Sequence, residues 1–296
     1  MYPSEFDYER AETVDHALEL LSGDPEAKII SGGHSLIPMM KSGLANPGTL
    51  VDIGEIDEMT GIEWDDDTVS VGALTTYATI ADDDELWDEL PVLAEAAHEV
   101  GDIQVRNRGT IGGNVAHGDP ASDLPAAVLA ADATVVVQGP DGERRIDVDD
   151  FFLGMYATEL GEDEILTGLE FPRSENATTT GAYVKKPSPS SGYALVGVAV
   201  SLEVDDGRIE SARVAANGIM DHAVRLEPVE DGLVGEALDD VSFEDVAEVA
   251  DENLEEFMMM DDIQASAEFR AQLLKVYTEE ALNDAVDRLD ASLPTA

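Results

Sequence analysis

Two glycine pairs with polar neighbours have the residue types and spacing that best suit an anionic ligand. The first, residues 31–35, reads Ser-Gly-Gly-His-Ser, and the second, residues 110–114, reads Thr-Ile-Gly-Gly-Asn. Glycine has no Cβ, so it adopts left-handed dihedrals freely and lets a ligand approach the main chain. Successive backbone N–H groups then converge into a nest that suits phosphate. Two such nests, which we call the first and second glycine segments, predict a ligand with two phosphates, such as a dinucleotide.

Regular secondary structure is predicted directly before both segments. A helix over residues 13–21, ended by Gly23, precedes a strand over residues 28–30 that runs into the first segment. A helix over residues 86–100, ended by Gly101, precedes the second segment. Both segments are therefore expected in exposed loops that can face a cofactor.

The remaining apolar periodicities alternate between strand and helix patterns. Strands are predicted over residues 50–53, 68–71, 134–137, 165–171, 194–200 and 208–216, and helices over residues 75–81, 122–130 and 243–289. An Asp-Asp-Gly turn at residues 205–207 predicts a hairpin between the last two strands. Residues 173–180 are polar, and we expect a domain boundary there.

The composition predicts an acidic surface adapted to high salt. The chain has 296 residues, of which 44% are apolar, and this length favours more than one domain. Asp plus Glu total 65 and Lys plus Arg total 16, which gives a formal net charge of −49 spread along the whole chain. In molar salt the Debye length is only about 3 Å, so such self-repulsion is screened. We expect a halophilic host and a fold that loosens at low ionic strength.

The same charge argues against several classes of partner. A chain this acidic is repelled by nucleic acid and by anionic membranes, and it must bind a diphosphate mainly with backbone dipoles. It has no cysteine, which excludes disulfides and a cysteine-ligated iron–sulfur cluster in this chain. No signal-peptide pattern and no apolar run of spanning length is present, so a cytoplasmic location and no membrane insertion are expected.

Hydrolytic and metal chemistry have no recognisable motif in the sequence. No serine lies in a Gly-x-Ser-x-Gly elbow, and no histidine pair has zinc-site spacing. The aspartate runs at residues 65–67 and 82–84 suit either a cation or, in so acidic a chain, a solvated surface, and no metal site is predicted. The absence of an acid–base constellation fits an enzyme whose cofactor performs the redox step.

Longer strings around the glycine pairs resemble one family. Residues 31–41 read Ser-Gly-Gly-His-Ser-Leu-Ile-Pro-Met-Met-Lys, and residues 106–123 contain Arg-Gly-Thr-Ile-Gly-Gly-Asn and end in Asp-Pro-Ala-Ser-Asp. Both closely resemble the FAD-binding signatures of the flavoprotein (medium) subunit of the molybdenum hydroxylases, such as aerobic carbon monoxide dehydrogenase and xanthine dehydrogenase. Residues 192–200 and 262–270 resemble later parts of those subunits, so the resemblance covers essentially the whole chain in order.

The resemblance implies which residues would bind FAD. Backbone groups of the first segment would cradle the pyrophosphate, the second segment would form another clamp, and residues of the C-terminal domain would lie near the isoalloxazine. The residues implied are Ser31, Gly32, Gly33, His34, Ser35, Leu36, Thr110, Ile111, Gly112, Gly113, Asn114, Ser122, Asp123, Lys185 and Tyr193. No catalytic residue beyond the flavin itself is implied.

Some of these residues have a second interpretation. His34 either fills a tight loop or, as in more distant flavoproteins of this fold, is joined to the flavin; the family generally holds its FAD non-covalently, and we expect the same here. Asp123 suits ribose hydroxyls, but it would also be a favourable charge at a helix N-terminus. Arg106 and Arg108 can pair with surface carboxylates or stand beside the diphosphate.

The implied fold is α+β. It comprises an FAD-binding domain of the vanillyl-alcohol-oxidase (PCMH) type over residues 1–175, with subdomains of about 1–55 and 56–175. A C-terminal domain of the carbon monoxide dehydrogenase flavoprotein type, combining a sheet with helices, would cover residues 178–290.

The implied function is electron transfer inside a larger oxidoreductase. A large subunit with the molybdenum cofactor would oxidise the substrate, a small subunit with 2Fe-2S clusters would pass electrons to FAD, and FAD would pass them to an external acceptor such as a quinone or NAD. A dimer of heterotrimers is expected. A stand-alone flavin-dependent oxidoreductase of the same fold and a non-redox nucleotide-binding or scaffold protein remain as alternatives.

Overall fold

The computed structural model describes residues 2–174 and 177–292, so part of the boundary expected between residues 175 and 178 lies outside the described residues. The strands are β1 (Asp7–Arg10), β2 (Ala27–Ile30), β3 (Thr49–Asp52), β4 (Ile62–Trp64), β5 (Thr68–Gly72), β6 (Thr134–Gly139), β7 (Gly142–Asp147), β8 (Phe152–Gly154), β9 (Ala157–Thr158), β10 (Ile165–Pro172), β11 (Thr178–Pro187), β12 (Ala194–Asp205), β13 (Arg208–Asn217) and β14 (Val224–Arg225). The helices are α1 (Val14–Gly23), α2 (Leu36–Ser42), α3 (Tyr77–Ala81), α4 (Asp84–Glu89), α5 (Pro91–Glu99), α6 (Ile103–Arg106), α7 (Ile111–His117), α8 (Asp123–Ala130), α9 (Glu227–Leu233), α10 (Phe243–Ala247) and α11 (Ala267–Ser292).

A small parallel sheet positions the first glycine segment. Its strands lie in the order β1-β3-β2, and β2 ends at Ile30, directly before the segment. Helix α1 precedes β2, and the Thr13 side chain caps it by accepting a hydrogen bond from the His16 amide. Because β2 is tied to β3 along its length, the chain leaves the sheet at a fixed point and enters the segment there.

An antiparallel sheet with several helices positions the second segment. The strand order is β4-β5-β10-β6-β7, and helices α3 to α8 lie between β5 and β6 in the chain. Every residue of α8 is buried, including Leu124 and Leu129, because this helix packs against α5 and α7 and against strands β12 and β13 of the third sheet. An apolar helix of this kind is a core element rather than a surface one.

The third sheet is covered on both faces. Its antiparallel order is β11-β12-β13-β14. Along β12, valines such as Val198 and Val200 face a core shared with α9 and α11, whereas Ala199 on the other face joins the core that includes α5 and α8. Successive strand residues point to opposite faces, so the small residues let the N-terminal helices approach the sheet closely.

The α+β class predicted from the sequence is confirmed, and every predicted strand has a counterpart. The predicted helix over residues 86–100 is divided at Leu90, because Pro91 begins a second helix instead of continuing the first. The helical pattern predicted over residues 243–289 is interrupted between α10 and α11. Within the described chain, no helix has both the length and the apolar character needed to cross a membrane.

Candidate functional site

The two glycine segments lie against each other in the structure. A Cβ added to Gly32 would collide with the carbonyl oxygen of Arg108, and one added to Gly113 would lie 2.7 Å from the Ser31 hydroxyl. The Ser31 and Thr110 hydroxyls are 3.1 Å apart. Residues that are 79 positions apart in the chain thus form one wall, and only glycine allows so close an approach.

A cleft opens beside this wall. Its volume is about 490 Å³, and it is lined by both glycine segments, by β2 and by residues 156–164. Its walls therefore come from the parallel sheet, from α7 and from the β8–β9 hairpin. A cleft between separately built elements is a common place for a cofactor.

The first segment has the geometry of an anion-binding nest. Within the described part of the chain, no acceptor contacts the backbone amides of Gly32, Gly33, His34 or Ser35. Gly33 has a φ of 72°, in the left-handed region that converging amides require. His34 turns its Nδ1 to the Gly32 carbonyl at 3.0 Å, which fixes the turn. All four residues line the cleft, where a diphosphate would accept hydrogen bonds from their free amides.

The second segment differs from the predicted nest. Its glycines lie in the first turn of α7, where Thr110 is the N-cap and accepts a hydrogen bond from the Gly113 amide. The amides of Ile111 and Gly112 donate to the carbonyls of Thr75 and Ala73. The expectation that this pair offers free amides is therefore wrong, because protein acceptors already engage them. The segment still lines the cleft through Thr110, Gly113 and Asn114.

Ser122 belongs to a short polar chain that reaches the cleft. Its hydroxyl donates to the Asn114 side-chain carbonyl at 2.9 Å, and the Asn114 amide donates to the Tyr77 hydroxyl at 2.9 Å. Burial is the main cause that raises the pKa of Tyr77, so its phenol stays protonated. The phenol thus keeps one proton to donate beside the cleft that Tyr77 and Asn114 line.

Asp123 and Lys185 form a buried ion pair rather than lining the cleft. The Lys185 ammonium lies 2.9 Å from Asp123 Oδ2, and the side chains are 4% and 6% exposed. The Tyr183 hydroxyl also donates to Asp123, at 2.7 Å. Burial raises the pKa of Asp123 to about 6, against the opposing charge of Lys185. The Lys185 ammonium also donates to the Gly192 carbonyl at 3.1 Å, so the pair holds the residue before Tyr193.

Tyr193 lies at the end of a loop that is fastened from two sides. The Tyr193 carbonyl accepts from the Ser188 amide at 2.7 Å, and the Ser188 hydroxyl donates to Gln264. The buried Arg270 guanidinium donates to the carbonyls of Leu195 and Gly218 and pairs with Asp262. The segment over residues 262–270, which the sequence analysis noted only for its resemblance, therefore braces this loop.

Two aromatic residues that the sequence analysis did not select also belong to the site. The rings of His117 and Tyr156 lie 5.0 Å apart, and both residues line the cleft. Burial lowers the pKa of His117. Burial first, and then the charges of Asp119 and of the Tyr156 phenol, raise the pKa of Tyr193. His117 stands inside the recognised string, but no local pattern marks Tyr156.

Several cations without a carboxylate partner among the described residues lie close in sequence to the glycine segments. Ten of the sixteen lysines and arginines pair with carboxylates of the described residues. The other six are Lys28, Lys41, Lys186, Arg106, Arg108 and Arg208. Four of them lie on β2, on α2 or just before the second segment, and Lys28 lines the cleft. Among the described residues, no group of three His, Asp or Glu is placed to hold a metal ion.

Comparisons with known proteins agree along the whole chain. Residues 4–174 match the family described as the FAD binding domain in molybdopterin dehydrogenase, and residues 181–285 match the CO dehydrogenase flavoprotein C-terminal domain. The chain is 34% identical to the glyceraldehyde dehydrogenase medium chain of Sulfolobus acidocaldarius, over 96% of this chain and 99% of that one. It is 36% identical to the carbon monoxide dehydrogenase medium chain of Hydrogenophaga pseudoflava, over 96% and 98%.

A solved structure shows the same fold. The carbon monoxide dehydrogenase from Hydrogenophaga pseudoflava, in a form that lacks the Mo-pyranopterin moiety of its molybdenum cofactor, superposes with a TM-score of 0.91 at 36% identity. The superposition covers 97% of this chain and 99% of that one.

Proposed function

This chain belongs to the family of FAD-binding medium subunits of the molybdenum hydroxylases, and from that membership we propose that it binds FAD in the cleft and relays electrons inside a larger oxidoreductase. Electrons arrive from iron–sulfur clusters on a partner chain and leave to an external acceptor. The free amides of the first glycine segment are the observation that carries the proposal, since they offer a diphosphate four backbone donors.

The residues of the cleft fit FAD. The nest supplies backbone dipoles, which suit a chain that has few lysines and arginines available to bind phosphate. A side chain at Gly113 would collide with the Ser31 and Thr110 hydroxyls, which hydrogen-bond to each other beside the cleft. Lys28 and Arg108, which have no carboxylate partner among the described residues, add positive potential near the diphosphate. When bound, the flavin supplies redox chemistry that exchanges electrons singly or in pairs.

The protein groups hold and orient rather than react. Ser31 and the residues from Gly32 to Leu36 would bind the pyrophosphate and the start of the ring system, and Thr110 to Asn114 would form a second clamp in the same wall. Ser122 orients Asn114 through its hydrogen bond. Asp123 and Lys185 act through Gly192, whose carbonyl the ammonium holds, to place Tyr193 at the ring end. We expect FAD to be held non-covalently, as this family generally holds it, with His34 Nδ1 donating to the Gly32 carbonyl.

Partner chains must supply the other redox centres. The chain has no cysteine to ligate a cluster, so 2Fe-2S clusters would belong to a small subunit and the molybdenum cofactor to a large one. Its relatives are named as medium chains, which supports such a set of subunits. We expect a dimer of heterotrimers in the cytoplasm, without membrane insertion.

The domain organisation is part of the proposal. An FAD domain over residues 1–175, divided near residue 55, and a C-terminal domain over residues 178–290 are supported by the three larger sheets, which share no strands. A halophilic host is supported by the net charge of −49. Unfolding midpoints measured from 0.1 to 3 M KCl should rise with salt, and a midpoint that falls as salt is added would refute the adaptation.

Titration of the full chain with FAD tests the binding proposal. In molar KCl the protein should take up one FAD, seen as a shifted flavin spectrum and quenched protein fluorescence. If the folded chain does not bind FAD, the alternative of a non-redox nucleotide-binding or scaffold protein would be favoured. Affinity capture from the native host should recover a molybdenum chain and an iron–sulfur chain. Bleaching of the flavin by substrate with this chain alone would instead favour the stand-alone oxidoreductase.

A further inference from the structure

Tyr156 adopts a backbone conformation that its side chain disfavours. Its φ is 55°, in the left-handed region where a Cβ crowds the following carbonyl. The other described non-glycine residues with positive φ are Asp132 and Asp206, and aspartate tolerates this region because its short polar side chain bonds locally. A bulky aromatic residue there is a genuine outlier.

The fold gives Tyr156 no structural reason to be a tyrosine. The residue joins β8 to β9 and is 53% exposed, so it contributes little to a core. Among the described residues, no group bonds to its hydroxyl. Its amide donates to the Gly118 carbonyl at 3.2 Å, which a glycine at this position would do equally well. A glycine would satisfy the backbone with less strain.

The position of the ring explains why the strain is kept. Tyr156 lines the cleft, and its ring lies on His117, the last residue of α7. Gly118, with a φ of 59°, ends α7 and lies against Thr158 of the hairpin, so the backbone on both sides of the aromatic pair is fixed. Strained residues of this kind cluster at sites that clamp ligands, where the surrounding structure over-determines them.

We propose that Tyr156, supported by His117, is an aromatic platform that stacks against the isoalloxazine ring of FAD at the mouth of the cleft. The proposal rests on the FAD-binding function given above. The isoalloxazine, rather than the adenine, is the ring concerned because residues 118–121 join Tyr156 to the end of the site assigned to the flavin. The Gly118 carbonyl accepts from the Tyr156 amide, and the Ala121 carbonyl accepts from the amide of Ala194, the residue after Tyr193. A polarisable tyrosine ring stacked on one face of the isoalloxazine keeps the flavin flat and holds it beside Tyr193.

Substitution by glycine separates stacking from folding. In Y156G the glycine adopts the positive φ without strain while the ring is lost, so the unfolding midpoint of the full chain should equal or exceed that of the wild type. The affinity for FAD should fall roughly 5- to 100-fold, as expected for one lost stacking contact. The fluorescence of the bound flavin should rise, because a stacked phenol quenches it. Y156F keeps a ring and should bind FAD with an affinity close to that of the wild type.

Asp206→Gly is the matched control. Asp206 also has a positive φ, but it lies in the turn between β12 and β13 and does not line the cleft. The unfolding midpoint of the Asp206→Gly variant should equal or exceed that of the wild type, and its FAD affinity and flavin fluorescence should be unchanged.

Three results would overturn the platform. The first is that Y156G binds FAD with wild-type affinity and fluorescence. The second is that Y156G unfolds more easily than the wild type, which would make the ring structural. The third is that Y156G loses affinity while the flavin fluorescence stays unchanged, which would place the ring against adenine. In each case the proposed function is retained as long as the wild-type chain binds FAD. Failure of the wild type to bind FAD would instead remove the proposed function.

Discussion

In the first glycine segment the amides from Gly32 to Ser35 have no acceptor within the described chain, whereas in the second the amides of Ile111, Gly112 and Gly113 are all engaged by protein oxygens. Both glycine pairs lie in the same wall of the cleft, but the lack of a Cβ serves a different purpose in each pair. In the first it permits a left-handed turn that gathers donors. In the second it permits α7 to pack against Ala73 and against Ser31.

The comparison separates two uses of glycine that look alike in a sequence. A nest acts on the ligand, so changes in it should appear first in affinity. A packing glycine acts on the fold, so changes in it should appear first in stability. The same variants measured in both ways can therefore break or sharpen the distinction.

Gly112→Ala should have the largest effect. Its Cβ would collide with the Cβ of Ala73 and with the Ala73 backbone, which cannot yield like the end of a flexible side chain. We expect a loss of about 3 kcal/mol in the free energy of unfolding, typical of an overpacked core. Chemical denaturation in molar KCl measures it, with Gly23→Ala as the control because a Cβ there meets nothing within 4 Å. Equal stability of the two variants would contradict the packing role.

Thr110→Ala should come next. It removes the N-cap of α7 and leaves the Gly113 amide without its acceptor, at a cost of about 1–2 kcal/mol. Ser35 occupies the equivalent position before α2 but makes no side-chain cap hydrogen bond. Ser35→Ala should therefore change stability by less than about 0.5 kcal/mol. Thermal or chemical unfolding of both variants measures the contrast, and a larger loss in Ser35→Ala would reverse it.

Gly33→Ala should act mainly on the ligand. The positive φ makes the substitution cost about 1 kcal/mol of stability. Any relaxation of φ also turns amides away from the diphosphate, and loss of one hydrogen bond to a charged group weakens FAD binding about tenfold. FAD titration measures it. Gly235→Ala, at a positive φ with open space around it, carries the same strain far from the cleft and should leave the FAD affinity unchanged.

Lys28→Met should have the smallest effect. Lys28 lines the cleft without a carboxylate partner among the described residues, but its charge acts through salt-screened solvent. We expect FAD affinity to fall about two- to threefold in molar KCl, in the range of an exposed ionic contact. Lys186→Met, which removes an equally unpaired charge from β11, is the control and should not change the affinity. A tenfold loss in Lys28→Met would show that charge, not the nest, dominates phosphate binding.

The sequence predicted those parts of the fold that depend on neighbours in the chain. Apolar alternation predicted β5, a continuous apolar run predicted β6, and the helix over residues 13–21 was predicted from its apolar spacing, because each depends on residues a few positions away. The division at Pro91 was missed, since a proline near a helix start is compatible with one helix or with two.

The features that the sequence did not reveal depend on distant partners. The amides of the second segment are engaged by Ala73 and Thr75, more than thirty residues earlier, and nothing local distinguishes them from free amides. Asp123 was predicted beside a ribose, but its partner Lys185 lies 62 positions later. Tyr156 was missed because a backbone angle, rather than a residue pattern, marks it.

The position of Arg270 has a consequence for the order in which the site is completed during synthesis. Its guanidinium fixes the carbonyls of Leu195 and Gly218, and Gln264 fixes Ser188, so the Tyr193 loop is held by residues made about seventy positions later. N-terminal parts of a chain fold first as it leaves the ribosome. The nascent protein would therefore have its phosphate nest before the ring end of the cleft is set, and a chain released before residue 270 would lack the brace.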